Sequence, residues 1–201
     1  WGTGFFDYDN DGDDDLFVAN GHVYPAVDRH DLGTRYAQRN QLFENDGSGA
    51  FVEVGLDLGP GMQVAKSSRG SAFADFDDDG DLDIAIVNID DAPTLLRNDG
   101  GNRNNWLMVC LRDRGANPSA VGARVSAWRG GRRQAREVRA GTGYISQDDT
   151  RLHFGLGQAD RADSLVVRWP DGVEVAYADV AANQLITIRR GEGVASVGAV
   201  R

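Results

Sequence analysis

Cysteine occurs once among the 201 residues, at Cys110, so no intrachain disulfide can form and something else must staple the fold. No stretch approaches the ~20 consecutive apolar residues that a membrane-crossing helix needs, and no membrane span is expected in this segment. Aromatic residues make up only 8% of the chain against 26 glycines, a texture of many short strands joined by turns. Basic residues are scarce in one half: residues 1–104 hold 7 of them against 21 acids, whereas residues 105–201 hold 14 against 10. The resulting net charge of −10 argues against a nucleic-acid partner, which takes a basic face with interleaved aromatics. An initiating methionine is missing too. The chain opens at Trp1, inside a repeat, and so reads as a piece of something longer.

What the chain has in excess is aspartate. Six fall within the nine residues from Asp7 to Asp15, and the pattern returns 68 positions later from Asp75 to Asp83. Without a cation each cluster would repel itself. Acids at loop positions one, three, five and nine, with glycine at six, make an oxygen cage sized for Ca²⁺, a hard ion that takes about six to eight oxygens. In the first loop Asp7, Asp9 and Asp11 can converge, Gly12 turns the chain, Asp13 offers its carbonyl and Asp15 its carboxylate. The second loop assigns the same roles to Asp75, Asp77, Asp79, Gly80, Asp81 (through its carbonyl) and Asp83. A solvated acidic turn is the plain alternative, since Asp, Asn and Gly all favour turns; the aligned duplication weighs against it. Two Ca²⁺ sites are therefore expected, with calcium as the staple. Twelve of the 21 acids in the first half sit in these loops, so the acidic balance reports metal sites rather than a basic partner.

An EF-hand would place a bidentate glutamate at position twelve, but Val18 and Ile86 stand there. The flanks disagree as well. Leu16 to Ala19 and Ile84 to Val87 are short runs of strand formers that end at Asn20-Gly21 and Asn88, so strand–loop–strand sites are predicted. Extracellular modules bind Ca²⁺ with Kd of ~10⁻⁴–10⁻³ M. Loops of this kind suit calcium outside the cytosol, and an extracellular, periplasmic or cell-surface location is expected.

After each loop and its exit strand comes an apolar stretch ending in Asn-Asp-Gly, Leu42 to Gly47 and Leu95 to Gly100. Asp-Gly between apolar segments signals a hairpin at both places. Asp15 to Asn45 spans 30 residues, whereas Asp83 to Asn98 spans 15. The first unit thus carries an insertion, roughly Gly21 to Gln38, in which His22, Tyr24, Pro25, Arg29, His30, Arg35 and Tyr36 mix aromatic and charged groups as binding loops do. Most such loops are merely tolerated surface, and no metal or catalytic role is expected of the histidines.

The second half lacks an acidic loop. Trp106 to Leu111, Val121 to Trp128, Arg132 to Val138 after a Gly130-Gly131 turn, Leu165 to Trp169, Val173 to Val175 and Leu185 to Ile188 read as strands. Val167 and Trp169 alternate with Val166 and Arg168 as in half-buried antiparallel strands. A small antiparallel β-sandwich over 105–190 is predicted, with a tail over 191–201. Arg124, Arg129, Arg132, Arg133, Arg136 and Arg139 form a basic face expected to be solvated. Gly141 to Gln147 lacks the lysine and the following helix of a phosphate loop. His153 with Ser146, Asp148 and Asp149 could be drawn as a triad, but no nucleophile elbow accompanies it, and a structural histidine is the better reading. No catalytic residue and no enzymatic activity are expected.

Gly2-Thr3-Gly4-Phe5-Phe6-Asp7 and Gly70-Ser71-Ala72-Phe73-Ala74-Asp75 lead into the two loops in the manner of FG-GAP or VCBS repeats, which residues 1–104 resemble. The resemblance implies two blades of a β-propeller and, because propellers have about four to eight blades, further blades upstream. Asn117, Val121 to Val125, Gly141 to Gln147, His153 to Gly157 and Val167 to Gly172 are similar in kind and order to the ASPIC/UnbV domain, with Asp171 where that domain usually has serine. That domain follows FG-GAP repeats in the cartilage acidic protein family and its bacterial relatives. The combined expectation is an all-β chain, a partial propeller followed by the sandwich, in a secreted or surface calcium-binding protein. Its function would be to present loops on calcium-stiffened blades to a protein or glycan partner in interaction or adhesion. Two rivals differ in kind: the non-catalytic part of a propeller enzyme whose active site lies in upstream blades, and a purely structural support.

Overall fold

Short apolar runs broken by Asp, Asn and Gly do not propagate a helix. In the computed structural model, which describes residues 1–196, the helical pieces are three 3₁₀ turns at Pro25–Arg29, Pro60–Gln63 and Gly101–Arg103. The first half contains β1 (Thr3–Phe6), β2 (Asp15–Val18), the short β3 (Gln38–Arg39), β4 (Gln41–Asn45) and β5 (Phe51–Glu53). In space β1, β2, β4 and β5 lie side by side in that order, all antiparallel. β6 (Ala65–Lys66) pairs with β3, and β7 (Ser68–Ala74), β8 (Asp83–Asn88) and β9 (Thr94–Leu96) form a second antiparallel sheet. These are the two expected blades of a partial propeller.

Their register positions the acidic loops. Phe6 stands opposite Asp15 and Ala74 opposite Asp83, so in each blade the last acid of the loop faces the residue just before the first acid. Phe6 of the first blade stacks on Phe73 of the second with ring centroids 4.7 Å apart, and Phe17, Leu42, Ile84 and Ile86 complete the shared apolar core. The loops therefore rest on a packed base that removes their first and last acids from water.

The insertion folds back on itself through His22 N–H donating to Tyr36 O at 3.0 Å and Tyr36 N–H donating to Asp28 Oδ1 at 2.8 Å. Val27 is its buried anchor, while Tyr24 is 69% exposed. Tyr24→Ala is accordingly expected to change stability by no more than about 0.5 kcal/mol, read from the midpoint of a thermal melt.

The first Asn-Asp-Gly makes the predicted hairpin between β4 and β5. The second does not. After β9 the chain passes through the Gly101–Arg103 turn and leaves for the other half of the molecule. The Asn98 side chain donates to Tyr8 O in the first loop at 2.6 Å while its Oδ1 accepts the Gly100 and Gly101 N–H groups, so the local turn forms but leads away from β9.

The second half contains β10 (Asn105–Arg112), β11 (Arg124–Arg129), β12 (Arg132–Glu137), β13 (Leu152–Gly157), β14 (Arg161–Arg168), β15 (Glu174–Ala181), β16 (Gln184–Arg189) and β17 (Gly193–Ser196). They form two sheets, ordered β13-β10-β16-β17 and β12-β11-β14-β15. Leu107, Val109 and Leu111 of the first sheet and Val125, Leu165 and Val167 of the second belong to one core with Phe154. Gly130 and Gly131 both have positive φ, 54° and 81°, as the tight two-residue turn between β11 and β12 requires.

Three details depart from the sequence reading. The sandwich is antiparallel except that β16 runs parallel to β10, a pairing reached by crossing over from β15 in the opposite sheet. β13, read only as a motif, is a fully buried strand. The expected tail over 191–201 contributes β17, which pairs with β16; residues 197–201 lie outside the described residues. No helix among the described residues is long and apolar enough to cross a membrane.

Candidate metal centres

Each acidic loop bridges the first two strands of its blade, and the two take up the same backbone path. Loop position four has left-handed φ in both, Asn10 at 60° and Asp78 at 58°, and position six is a glycine at 99° and 100°, Gly12 and Gly80. Asn and Asp tolerate that region; glycine occupies it without strain. The result brings carboxylate oxygens of Asp7, Asp9 and Asp15 within 4.8 Å of one another, and likewise those of Asp75, Asp77 and Asp83.

Backbone donors hold these acids in place. The Gly12 N–H donates to Asp7 Oδ2 at 2.9 Å and the Gly80 N–H to Asp75 Oδ2 at 3.0 Å. Asp15 accepts from Tyr8 N–H at 3.0 Å and Asn45 N–H at 2.9 Å; Asp83 accepts from Phe76 N–H at 3.0 Å and Asn98 N–H at 2.7 Å. Asn45 and Asn98 are thus equivalent clamps on the closing acids. Their repetition was visible in the sequence as Asn-Asp-Gly, but their role was not.

Asp11 and Asp79 do not join the groups of three; Asp11 Oδ1 accepts the Asp13 N–H at 2.8 Å and Asp79 Oδ1 the Asp81 N–H at 3.2 Å. The Asp13 carboxylate is turned to Arg132 at 2.6 Å. Asp81 is fully buried, with Oδ2 accepting from Asn102 N–H at 3.2 Å and Oδ1 without a partner.

Burial, then the charges of Asp11, Asp9 and Asp15, push the Asp7 carboxyl up to about 8. Burial likewise lifts Asp15 to about 7 and Asp75 to about 6, and raises Asp9, Asp11, Asp81 and Asp83. Acids this crowded and dry do not hold their charge unaided. Asp7 Oδ1 supplies the second sign: it is buried and has no hydrogen-bond partner. A hard cation among these oxygens would satisfy both, so the residues fit an oxygen-ligated metal ion.

Of the six arginines read as a solvated face, Arg129, Arg132 and Arg136 are instead turned onto the loops, while Arg124, Arg133 and Arg139 stay exposed. Arg132 pairs with Asp13, Arg136 takes both oxygens of Asp14, and Arg129 Nη2 donates to Asp11 O at 3.3 Å. Arg151 bridges Asp78 and Asp149 and donates to Asp75 O at 2.6 Å. Apart from the local Arg151–Asp149 pair, each contact joins the two halves of the chain across more than 70 positions, which no local pattern reveals.

The residues that could be drawn as a triad are employed separately. Ser146 Oγ donates to Tyr144 O at 2.8 Å, Asp148 Oδ1 accepts the Phe73 N–H at 3.0 Å, and Asp149 pairs with Arg151. His153 is buried, which pushes its pKa down to about 4 and keeps it neutral. Its Nε2 therefore carries the proton and donates to Gly80 O at 3.1 Å.

Residues 7–86 match the FG-GAP-like repeat and residues 113–195 match ASPIC and UnbV. Human cartilage acidic protein 1 is 31% identical over 180 residues, 85% of this chain and 25% of that protein, and the mouse protein gives the same figures. The Xenopus tropicalis protein is 31% identical over 176 residues, 83% of this chain and 25% of its own. The chain spans about a quarter of the length of these curated relatives. It belongs with the FG-GAP-like repeats in its first half and with the ASPIC and UnbV family in its second, as a homologue of cartilage acidic protein 1.

Proposed function

We propose that this chain is a calcium-binding, non-catalytic part of an extracellular or cell-surface interaction or adhesion protein. The observation that carries the reading is the duplicated convergence of three carboxylates, with the buried Asp7 Oδ1 lacking a partner. Asp7, Asp9 and Asp15 would hold one ion, with Asp11 and the Asp13 carbonyl completing the cage. Asp75, Asp77 and Asp83 would hold the other, with Asp79 and the Asp81 carbonyl. Ca²⁺ bound there neutralises the crowded acids. The chain's own residues do the rest: Gly12 and Gly80 make the turns, while Asn45 and Asn98 fix the closing acids and with them the blade edges. Loops on this rigid base, including the insertion with its exposed Tyr24, would meet a protein or glycan partner. The extracellular assignment is supported by the relatives' name, which places them in cartilage, and by the affinity range typical of such modules.

Calorimetric titration tests the metal. Two calcium sites are expected, and binding should survive millimolar Mg²⁺, because magnesium demands compact octahedral geometry and keeps its water. Equal competition by Mg²⁺ would count against this oxygen cage.

A further inference from the structure

Both acidic loops lie in the first half of the chain, yet the surface that closes over them belongs to the second. β13 runs directly against the first loop. The Gly157 N–H donates to Asn10 O at 2.8 Å. Gly155 lies so close that a Cβ there would stand 2.6 Å from the Asn10 carbonyl carbon and overlap the Asp7 carboxylate. The backbone of Gly155 is not in the left-handed region, so close approach rather than conformation makes glycine necessary.

The second loop meets the same strand. His153, also on β13, donates to Gly80 O, and Asn10 Nδ2 reaches that same carbonyl from the first loop at 3.0 Å. A side chain on Gly80 would enter the ring of Trp106 on the neighbouring β10. One carbonyl thus joins both loops to the sandwich.

We propose that β13 is a third wall of both metal loops, with Gly155 a positioning residue for Asp7, so that cation binding and docking of the sandwich on the blades are one linked equilibrium. The inference rests on the calcium reading above. Drawing Asp7, Asp9 and Asp15 onto an ion fixes the backbone of Asn10, which Gly157 binds; linkage then requires that docking strengthen ion binding by the same factor. Contacts just behind metal ligands typically change affinity by about 10- to 100-fold.

The test uses the whole chain, titrated with Ca²⁺ by calorimetry and followed by amide hydrogen exchange. Gly155→Ala should weaken one calcium site by about 10- to 100-fold. In the unaltered protein, chelation should speed exchange of the Gly157 amide while the Val125 and Val167 amides inside the sandwich keep their protection. Unchanged affinities in Gly155→Ala, or a Gly157 amide indifferent to calcium in a protein that binds the ion, would overturn the linkage and leave the calcium reading standing. A protein that binds no calcium would overturn both. Should Gly155→Ala fail to fold, the exchange of Gly157 in the unaltered protein decides alone.

Discussion

Calcium added to the chelated protein is expected to raise its melting temperature, and by more as the pH rises. In the folded chain Asp7 is held near 8, Asp15 near 7 and Asp75 near 6, against 3.8 for an open carboxylate. Across that interval the folded state binds more protons than the unfolded one. Without a cation, the stability these groups allow is therefore present below about pH 4 and is lost as pH rises toward 8. Binding a cation requires the ionised forms, so the calcium contribution grows over the same interval. When free Ca²⁺ stands at 100 times Kd, each site adds roughly 2.7 kcal/mol. Melts in calcium and in chelator, run from about pH 5 to about pH 8, should diverge upward. Coincident melts would remove calcium as the staple of a chain that has no disulfide.

Asp7→Asn should change the sign of its effect with the buffer. Asparagine keeps the shape of the side chain and an oxygen for the Gly12 N–H, but it removes the acid most strongly raised by burial and crowding. In chelator at about pH 8 the variant should melt above the unaltered protein, because a buried charge has gone. In calcium it should melt below, losing roughly 2.7 kcal/mol at 100 times Kd as one site fails, with the calorimetric stoichiometry falling from two to one. A variant destabilised equally in both buffers would make Asp7 only a hydrogen-bond partner of Gly12.

Much of this was legible in order along the chain. The spacing of acids around Gly12 and Gly80 placed both loops between strands, and the structure brings together Asp7, Asp9 and Asp15, then Asp75, Asp77 and Asp83. These are local matters: alternate residues of a tight loop point inward, and left-handed positions demand Gly, Asn or Asp. The second Asn-Asp-Gly was misread for the same reason. Its turn forms, with Asn98 Oδ1 accepting from Gly100 and Gly101, but Asn98 also binds Tyr8, 90 positions away, and the chain continues into the other half.

The arginines show the limit most clearly. Arg129, Arg132 and Arg136 sit on or beside an exposed hairpin, where such side chains are usually solvated, and nothing near them in sequence predicts otherwise. Only the packing of the sandwich against the blades sets them on Asp11, Asp13 and Asp14, and sets Arg151 and His153 on the second loop. Sequence alone determined the composition of each acidic loop, its turn and its place between strands, because those depend on neighbours within about ten residues. The tertiary structure decided what surrounds the loops, because burial, partner choice and the closeness that forces glycine at 155 arise only when segments more than seventy positions apart are pressed together.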